Sequence, residues 1–416
     1  MKILLLHQYF LEKNSGGGSR FNEMTKVWEQ EGHDIIVLAG MVHYATGKKE
    51  KLYKGKFIYK ENYSNNTTVF RCHVSEAYNV NFIGRLWAYF SFVFSSLITG
   101  IFKINEKYEI IIVTSPPLFV GITGYLLAKI KKVPFIFEVR DLWPESAIDT
   151  GVLKNKYLIK LAYWFEGFIY KKASKINVLT PAFKKILSEK KNVNDSKLLL
   201  IPNAADLEMV EKVKKIFDRE KFRQENNFGD KLVIIYVGAH GVANGLFLLV
   251  KAAELMKDEN VLFISIGAGM QKENLKEEVK NKNLQNICFL EPVPKLEVFK
   301  YILASDIGTS ILLKNDTFKT IYSNKTFDYM ACEKPILMAI DGISKELIEK
   351  ANCGLYVEPE NPKDFVKKIR FYLKNYNKIK EHGTNGFKYV KKHFDRKNLA
   401  KTYLKNIEKL TKSDVH

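Results

Sequence analysis

A chain of 416 residues exceeds the size at which one hydrophobic core keeps growing, and its 46% apolar share supplies material for about two domains. A net charge of +20 demands an anionic partner: nucleic acid, anionic lipid or a phosphorylated small molecule. Four cysteines (Cys72, Cys288, Cys332, Cys353) stand far apart with no Cys-x-x-Cys, which argues against a zinc cluster or a disulfide framework and fits a reduced, cytoplasmic setting.

The opening Lys2-Ile3-Leu4-Leu5-Leu6 lacks a basic leader, a full apolar stretch and a cleavage site, so it reads as a first buried strand rather than an export signal. Apolar runs of strand length follow at 35–39, 68–74, 110–114, 135–138, 176–179 and 198–201, with helical patterns between most of them. A helix is expected over 19–31, closed by Glu31-Gly32-His33. This alternation predicts a doubly wound α/β domain. The Lys-, Tyr- and Asn-rich segment 41–68 reads as an insertion, with Asn65-Asn66 as a turn between two strands. Residues 86–102 form a seventeen-residue uncharged run between Arg85 and Lys103. A spanning helix needs about 20 apolar residues, so a short span, a core helix and a helix with one face toward lipid all remain open. Trp87, Tyr89 and the flanking cations suit a headgroup interface.

Ile201-Pro202-Asn203-Ala204 punctuates the chain before a charged helix at 207–221 and a second series of strands at 232–237, 261–266, 287–290, 307–310, 335–338 and 354–357. A basic amphipathic helix is expected over 387–410. Expected domains are therefore 1–204, 205–386 and a C-terminal helix within 387–416.

Several motifs could carry chemistry. Gly16-Gly17-Gly18 follows the first strand and leads into a helix, so backbone N–H groups could approach a phosphate without interference from Cβ, with Arg20 near enough to assist. No Gly-Lys-Ser/Thr follows, so it is not a P-loop. Glu138-Val139-Arg140-Asp141-Leu142-Trp143-Pro144-Glu145-Ser146 places carboxylates and an arginine at the end of a parallel strand, the edge where such sheets bind ligands. Tyr236 to Leu246 is again strand, Gly-rich loop and helix, with His240, Gly241, Asn244 and Gly245 in the loop. Ile266-Gly267-Ala268-Gly269 with Lys272 only partly imitates a dinucleotide fingerprint. In Thr320-Ile321-Tyr322-Ser323-Asn324-Lys325-Thr326-Phe327-Asp328, a helix opening at Ser323, Asn324 and Lys325 offers N–H groups, a positive dipole end and a cation to an anion. One turn on, Asp328 can accept two sugar hydroxyls. No two histidines have metal-ligand spacing, and no stretch interleaves basic and aromatic residues as an RNA-binding sheet does.

This last block resembles the donor signature of family 4 retaining glycosyltransferases, whose Glu-x7-Glu frame is represented here by Thr320 and Asp328. The string 138–146 resembles the acceptor-side motif of bacterial transferases of the L-fucosamine type, which handle 6-deoxy-N-acetylhexosamines in O-antigen and capsule synthesis. The resemblance runs in order through the Gly16 loop, 138–146, Leu179-Thr180-Pro181, Ile201-Pro202-Asn203, the Gly238 loop and 319–337. It implies the GT-B fold: two Rossmann-like domains facing across a cleft, the final helix crossing back to the first. It also implies a UDP-sugar donor and a polyprenyl-diphosphate-linked sugar acceptor, with retention at the anomeric carbon and neither cofactor nor metal.

By the same resemblance Asp141 and Glu145 orient the acceptor hydroxyl, and Arg140 faces a diphosphate. The Gly-Arg…Lys-Gly cations usual in the second glycine loop are replaced by Ala239 and Asn244, so Lys325, and next Lys319, would meet the leaving-group charge. Gly267 and Val293 would wall the uracil slot, and residues 317–320 would touch the hexose. Such an enzyme would sit in the cytoplasm against the inner face of the membrane. A UDP-sugar epimerase or hydrolase on the same fold, or a basic binding protein without activity, remain alternatives.

Overall fold

β-Branched and leucine-rich runs with no polar alternation form the sheet cores, as expected for parallel strands covered on both faces. The computed structural model describes residues 1–12, 20–42, 47–79, 82–149, 151 and 153–413, so the Gly16-Gly17-Gly18 loop lies outside the described residues. The described chain separates into two units, one containing residues 1–12, 20–202 and 397–413, the other residues 203–396.

The first unit runs β1 (Lys2–Leu6), α1 (Arg20–Gln30), β2 (Asp34–Gly40), β3 (Ile58–Asn62), β4 (Thr67–Cys72), α2 (Phe82–Phe102), β5 (Ile110–Ser115), α3 (Val120–Lys131), β6 (Phe135–Val139), α4 (Glu145–Asp149), α5 (Lys156–Lys172), β7 (Lys175–Val178), α6 (Pro181–Glu189) and β8 (Leu198–Leu200). Its sheet has the order β3-β4-β2-β1-β5-β6-β7-β8. All neighbours are parallel except β3 and β4, an antiparallel hairpin around the expected Asn65-Asn66 turn. The chain reverses strand order between β1 and β5, which opens a crevice at their C-terminal ends.

The second unit runs α7 (Leu207–Lys214), α8 (Arg219–Glu225), β9 (Leu232–Val237), α9 (Phe247–Leu255), β10 (Val261–Ile266), α10 (Lys272–Asn281), β11 (Ile287–Leu290), α11 (Lys295–Ala304), β12 (Ile307–Ile311), α12 (Asn324–Ala331), β13 (Ile336–Ala339), α13 (Ile343–Ala351), β14 (Gly354–Tyr356), α14 (Pro362–Lys374) and α15 (Tyr376–His393). Its all-parallel sheet, β11-β10-β9-β12-β13-β14, has the dinucleotide-fold order with its switch point between β9 and β12. The charged helix expected at 207–221 is two helices. Asp218 accepts from the Lys221 N–H at 3.0 Å, and this N-cap starts α8.

The single helix expected at 387–410 is likewise two, α15 and then α16 (Arg396–Ser413). At the break, the Phe394 carbonyl accepts from Ala205 N–H at 2.9 Å and Arg396 N–H donates to the Ala205 carbonyl at 3.0 Å. These bonds take the place of helical ones, while buried Phe394 packs on Phe327, ring centroids 4.8 Å apart. From Lys397 onward α16 belongs to the first unit: Trp28 Nε1–H donates to the Ala400 carbonyl at 2.9 Å, and Tyr403, Leu404 and Ile407 join that unit's core.

Candidate functional site

The switch point of the second sheet brings two loops together. β9 leads into Gly238 to Leu246, which includes the short turn Val242–Asn244, and β12 leads through the turn Thr317–Thr320 into α12. Tyr329 docks α12 on the sheet. Its hydroxyl accepts from the Val237 N–H at 3.0 Å, and its ring fills the space over Gly308, where a Cβ would lie 2.3 Å from the ring. The Ser310 and Thr326 hydroxyls, 3.0 Å apart, tie the first turn of the helix to the end of β12.

That docking sets Lys325 beside Gly238. Its Nζ lies 3.4 Å from Tyr236 Oη and 4.4 Å from the centroid of that ring. A Cβ on Gly238 would come within 3.0 Å of Lys325 Cε. No carboxylate among the described residues pairs with the ammonium, and burial lowers its pKa to about 8. Ser323 is the N-cap, and its hydroxyl makes no capping bond, so the helix end is not closed by its own side chain. Asn324 beside it is exposed, and Asp328 is half-buried one turn on.

Beneath this end, two glycine loops interlock. Gly238 N–H donates to Ile266 O and His240 N–H to Ala268 O, each at 2.9 Å. A Cβ on Gly267 would fall 1.8 Å from the Gly238 carbonyl oxygen, and one on Gly269 2.5 Å from the His240 carbonyl carbon. The Gly-x-Gly pair thus serves backbone-on-backbone contact between loops. Lys272 locks the arrangement by donating to Gly267 O at 2.9 Å and Leu290 O at 2.8 Å. Gly267→Ala should therefore displace the loop, lowering stability by about 1–3 kcal/mol and weakening nucleotide binding. Denaturant titration together with UDP calorimetry would check both effects.

His240 is fully buried under its loop, with Nε2 2.9 Å from Ser265 Oγ. Burial, and then the charge of Lys272, lower its pKa to about 4, so the ring is neutral near pH 7. Asn244 Oδ1 accepts from Gly241 N–H at 3.3 Å, and Gly245 closes the turn at φ 56°, with Leu313 within 2.9 Å of where a Cβ would be. Lys319 is ion-paired with Asp316 at 2.6 Å, unlike Lys325. Thr320 Oγ1 donates to Thr317 O at 2.6 Å, and Val293 is half-buried in the loop after β11. A pocket of about 220 Å³ touches Gly241, Gly245, Lys251, Gln271, Leu313 and Glu360 but none of Ser323, Lys325 or Asp328. Among the described residues no group of three or more His, Cys, Asp or Glu side chains is arranged to hold a metal ion.

In the first unit, Arg20 is not a phosphate ligand but half of a buried ion pair. Its Nε and Nη2 donate to Glu138 at 3.0 and 3.2 Å, and its other N–H groups reach the carbonyls of Ile201 and Pro202 at 2.7 and 2.5 Å. Asn177 Nδ2 also donates to Glu138, at 2.9 Å. The opening residue of the string 138–146 is therefore structural, Val139 is the buried last residue of β6, and residues 140–146 follow the strand end. Burial raises the Asp141 pKa, opposed by hydrogen bonds from Ser146 and the Leu142 N–H. Glu145 opens α4 and pairs with Lys191 at 2.8 Å. The same ammonium holds Glu166 at 2.6 Å, and Tyr170 donates to Glu166 at 2.8 Å. Burial lifts Glu166 to about 7 against the pull of Lys191.

Arg140 is half-buried near His7, whose ring is held neutral chiefly by burial and then by the Arg140 charge. His7 Nδ1 lies 2.7 Å from Thr114 Oγ1 across the β1–β5 switch point, and neighbouring Gln8 is buried with neither amide atom partnered among the described residues. Lys191, Glu166 and the Tyr236–Tyr329 support lie beyond what the motifs indicate, because the groups they meet are far apart in the chain, and Gln8 lies beyond it because only the fold buries it. A tyrosine two residues before a glycine loop is the one local signal.

Two family profiles divide the chain: "Glycosyl transferase 4-like domain" matches residues 15–204 and "Glycosyl transferases group 1" matches residues 218–389. A protein of Escherichia coli K12 named for colanic acid biosynthesis, the glycosyl transferase WcaI, is 22% identical over 414 residues, covering 98% of this chain and 100% of its own. The Pseudomonas aeruginosa glycosyltransferase WbjE is 24% identical over 65% of this chain and 67% of its own. Among solved structures, sucrose-phosphate synthase of Thermosynechococcus elongatus superposes with TM-score 0.75 at 15% identity, covering 99% of both chains. Anabaena HepE, solved with UDP, gives 0.71 at 14% identity over 98% of this chain and 100% of that one. The lipopolysaccharide glycosyltransferase WaaG gives 0.67 at 16% over 97% and 98%. These likenesses establish the GT-B fold. Its halves being a glycosyl transferase 4-like domain and a glycosyl transferases group 1 domain, the chain is a glycosyltransferase.

Proposed function

We propose that the chain transfers a hexosyl or N-acetyl(6-deoxy)hexosaminyl unit, with retention, from a UDP-sugar to a polyprenyl-diphosphate-linked sugar in O-antigen, capsule or exopolysaccharide synthesis. The observation that carries the donor half is Lys325: a cation with a lowered pKa and no carboxylate partner among the described residues, set at the start of α12 beside Gly238. A diphosphate supplies the missing charge, and the ribose hydroxyls then fall to Asp328. Within the loop Gly241 to Gly245 the N–H groups of Gly241, Asn244 and Gly245 are bonded inside the turn, so Val242 and Ala243 contribute the backbone N–H groups, while Thr320 and its turn contact the hexose and the loop holding Val293 reads the base. The naming of WcaI for colanic acid biosynthesis and the UDP in HepE support polysaccharide synthesis and a uridine donor.

In this reading the bond from the anomeric carbon to the diphosphate oxygen breaks as the acceptor oxygen bonds to the same face. The acceptor proton passes to the departing phosphate oxygen, so no protein nucleophile is required. The protein contributes position and stabilisation of the leaving charge. Asp141 and Glu145 orient the acceptor hydroxyl, and Arg140 meets the acceptor diphosphate. A panel of UDP-sugars is expected to raise the melting temperature with one or a few members, and UDP should be released only when a lipid-linked acceptor is added. Stabilisation by no nucleotide would refute the donor site; release without acceptor would make the protein a hydrolase.

A further inference from the structure

Three neighbouring helices of the first unit expose apolar residues together. α2 is buried along one side by Phe92, Ser95, Ser96 and Thr99, and Ser95 donates to the His73 carbonyl at 2.7 Å. Its opposite side presents Ile83, Trp87, Phe94, Ile98 and Phe102, all more than 40% exposed. α2 alone among the described helices is long and apolar enough to cross a membrane, but a helix fixed to a sheet along one side cannot span one. α3 lies against it, with the Ser96 and Thr123 hydroxyls 3.3 Å apart and Gly100 leaving room for Leu127, and exposes Ile130. α5 lies against α3 in turn. Tyr125 and Phe168 meet edge to face at 5.2 Å, and Phe168 stacks on Trp164 at 5.9 Å. Tyr157, Leu161 and Trp164 of α5 are 85%, 56% and 64% exposed at helical spacing, a stripe that a soluble surface does not need.

The charges choose the occupant. α2, α3 and α5 together carry Arg85, Lys129, Lys131, Lys156, Lys160, Lys171 and Lys172 but only one carboxylate, Glu166, which is buried and bound to Lys191. Lys172 Nζ lies over the Tyr125 and Phe168 rings at 5.8 and 5.9 Å, bringing cation and aromatic to one place. An apolar, aromatic face rimmed by an excess of cations matches the interface of an anionic bilayer, where rings sit at headgroup depth and each cation adds attraction.

We infer that the exposed face of α2, α3 and α5 is a docking surface for an anionic lipid bilayer, with Trp87 and Trp164 as its insertion points. It rests on the lipid-linked acceptor reading for its purpose but is tested without donor or acceptor, so either can fail alone. The full chain would be sedimented with phosphatidylcholine vesicles and with vesicles containing 30% phosphatidylglycerol. Binding is expected only to the second and should weaken with salt. Reversing three rim charges (K160E, K171E and K172E together) should reduce the partition coefficient about 100-fold or more. Reversing three exposed charges of the second unit (K363E, K367E and K374E together) should change it less than threefold. W87S with W164S should also lower binding while leaving UDP calorimetry unchanged.

Equal loss in both charge-reversed proteins would mean overall charge rather than this face, and would overturn the assignment. So would vesicle binding unaffected by W87S with W164S. A dimer that those two changes convert to monomer, with no vesicle binding by either form, would identify a second copy as the occupant instead.

Discussion

Lys325→Ala is expected to lower turnover about 10²–10³-fold, the effect of removing one preorganised charge donor from a developing anion. The size follows from the scarcity of alternatives. Ala239 and Asn244 stand in the glycine loop where two cations would serve, and Lys319 is already paired with Asp316. Thermal stability without nucleotide should be kept or raised, because a half-buried ammonium without a counter-ion costs the empty protein free energy. The readout is UDP release with the lipid-linked acceptor, alongside the melting temperature.

A pH dependence accompanies it. The empty site holds Lys325 at a pKa of about 8, and a diphosphate favours its protonated form. Affinity for UDP is therefore full well below pH 8, about half lost at pH 8, and declines about fivefold more from pH 8 to pH 9 if the bound-state pKa lies well above 9. Calorimetry across this range should show the decline in the natural protein and not in Lys325→Met. An equal decline in Lys325→Met would remove this lysine from the diphosphate site.

Glu138→Gln should destabilise the first unit by about 3–5 kcal/mol, enough to abolish much of a typical domain's margin. The change strips the counter-charge from Arg20, whose side chain is 3% exposed, and leaves it among the Ile201 and Pro202 carbonyls and Asn177. Arg20→Met combined with Glu138→Leu should cost less than either single change, since no unpaired charge stays behind. Denaturant unfolding of the four proteins measures the coupling. If Glu138→Gln unfolds like the parent, the pair is not what holds the end of β6 to α1.

The two sheets were legible because parallel strands buried on both faces appear as unbroken apolar runs. The glycine loops after β9 and β10 were legible from residue order, whereas the switch points came only from which strands pair. Helix boundaries were less legible. The runs 207–221 and 387–410 have continuous helical patterns, and what divides them is an Asp218 cap in one case and pairing of residues 394–396 with Ala205 in the other. The latter contact joins residues nearly two hundred positions apart, so no local pattern announces it.

The same distinction runs through the site. Composition and residue order alone specified the α/β class, the glycine loops after strands, the cation at the start of α12 and the surplus of lysine. These are properties of one residue and its near neighbours in the chain. Folding had to assign the roles of residues whose partners are remote. It made Arg20 a core ion pair through Glu138, turned Gly267 into a seat for the Gly238 carbonyl, and set Tyr236 under Lys325. It also aligned α5 with α2 on either side of α3, where two separate apolar stripes become one surface. A charge or a Cβ acquires its meaning from what lies within a few ångströms, and across a sheet those neighbours come from segments that sequence proximity does not connect.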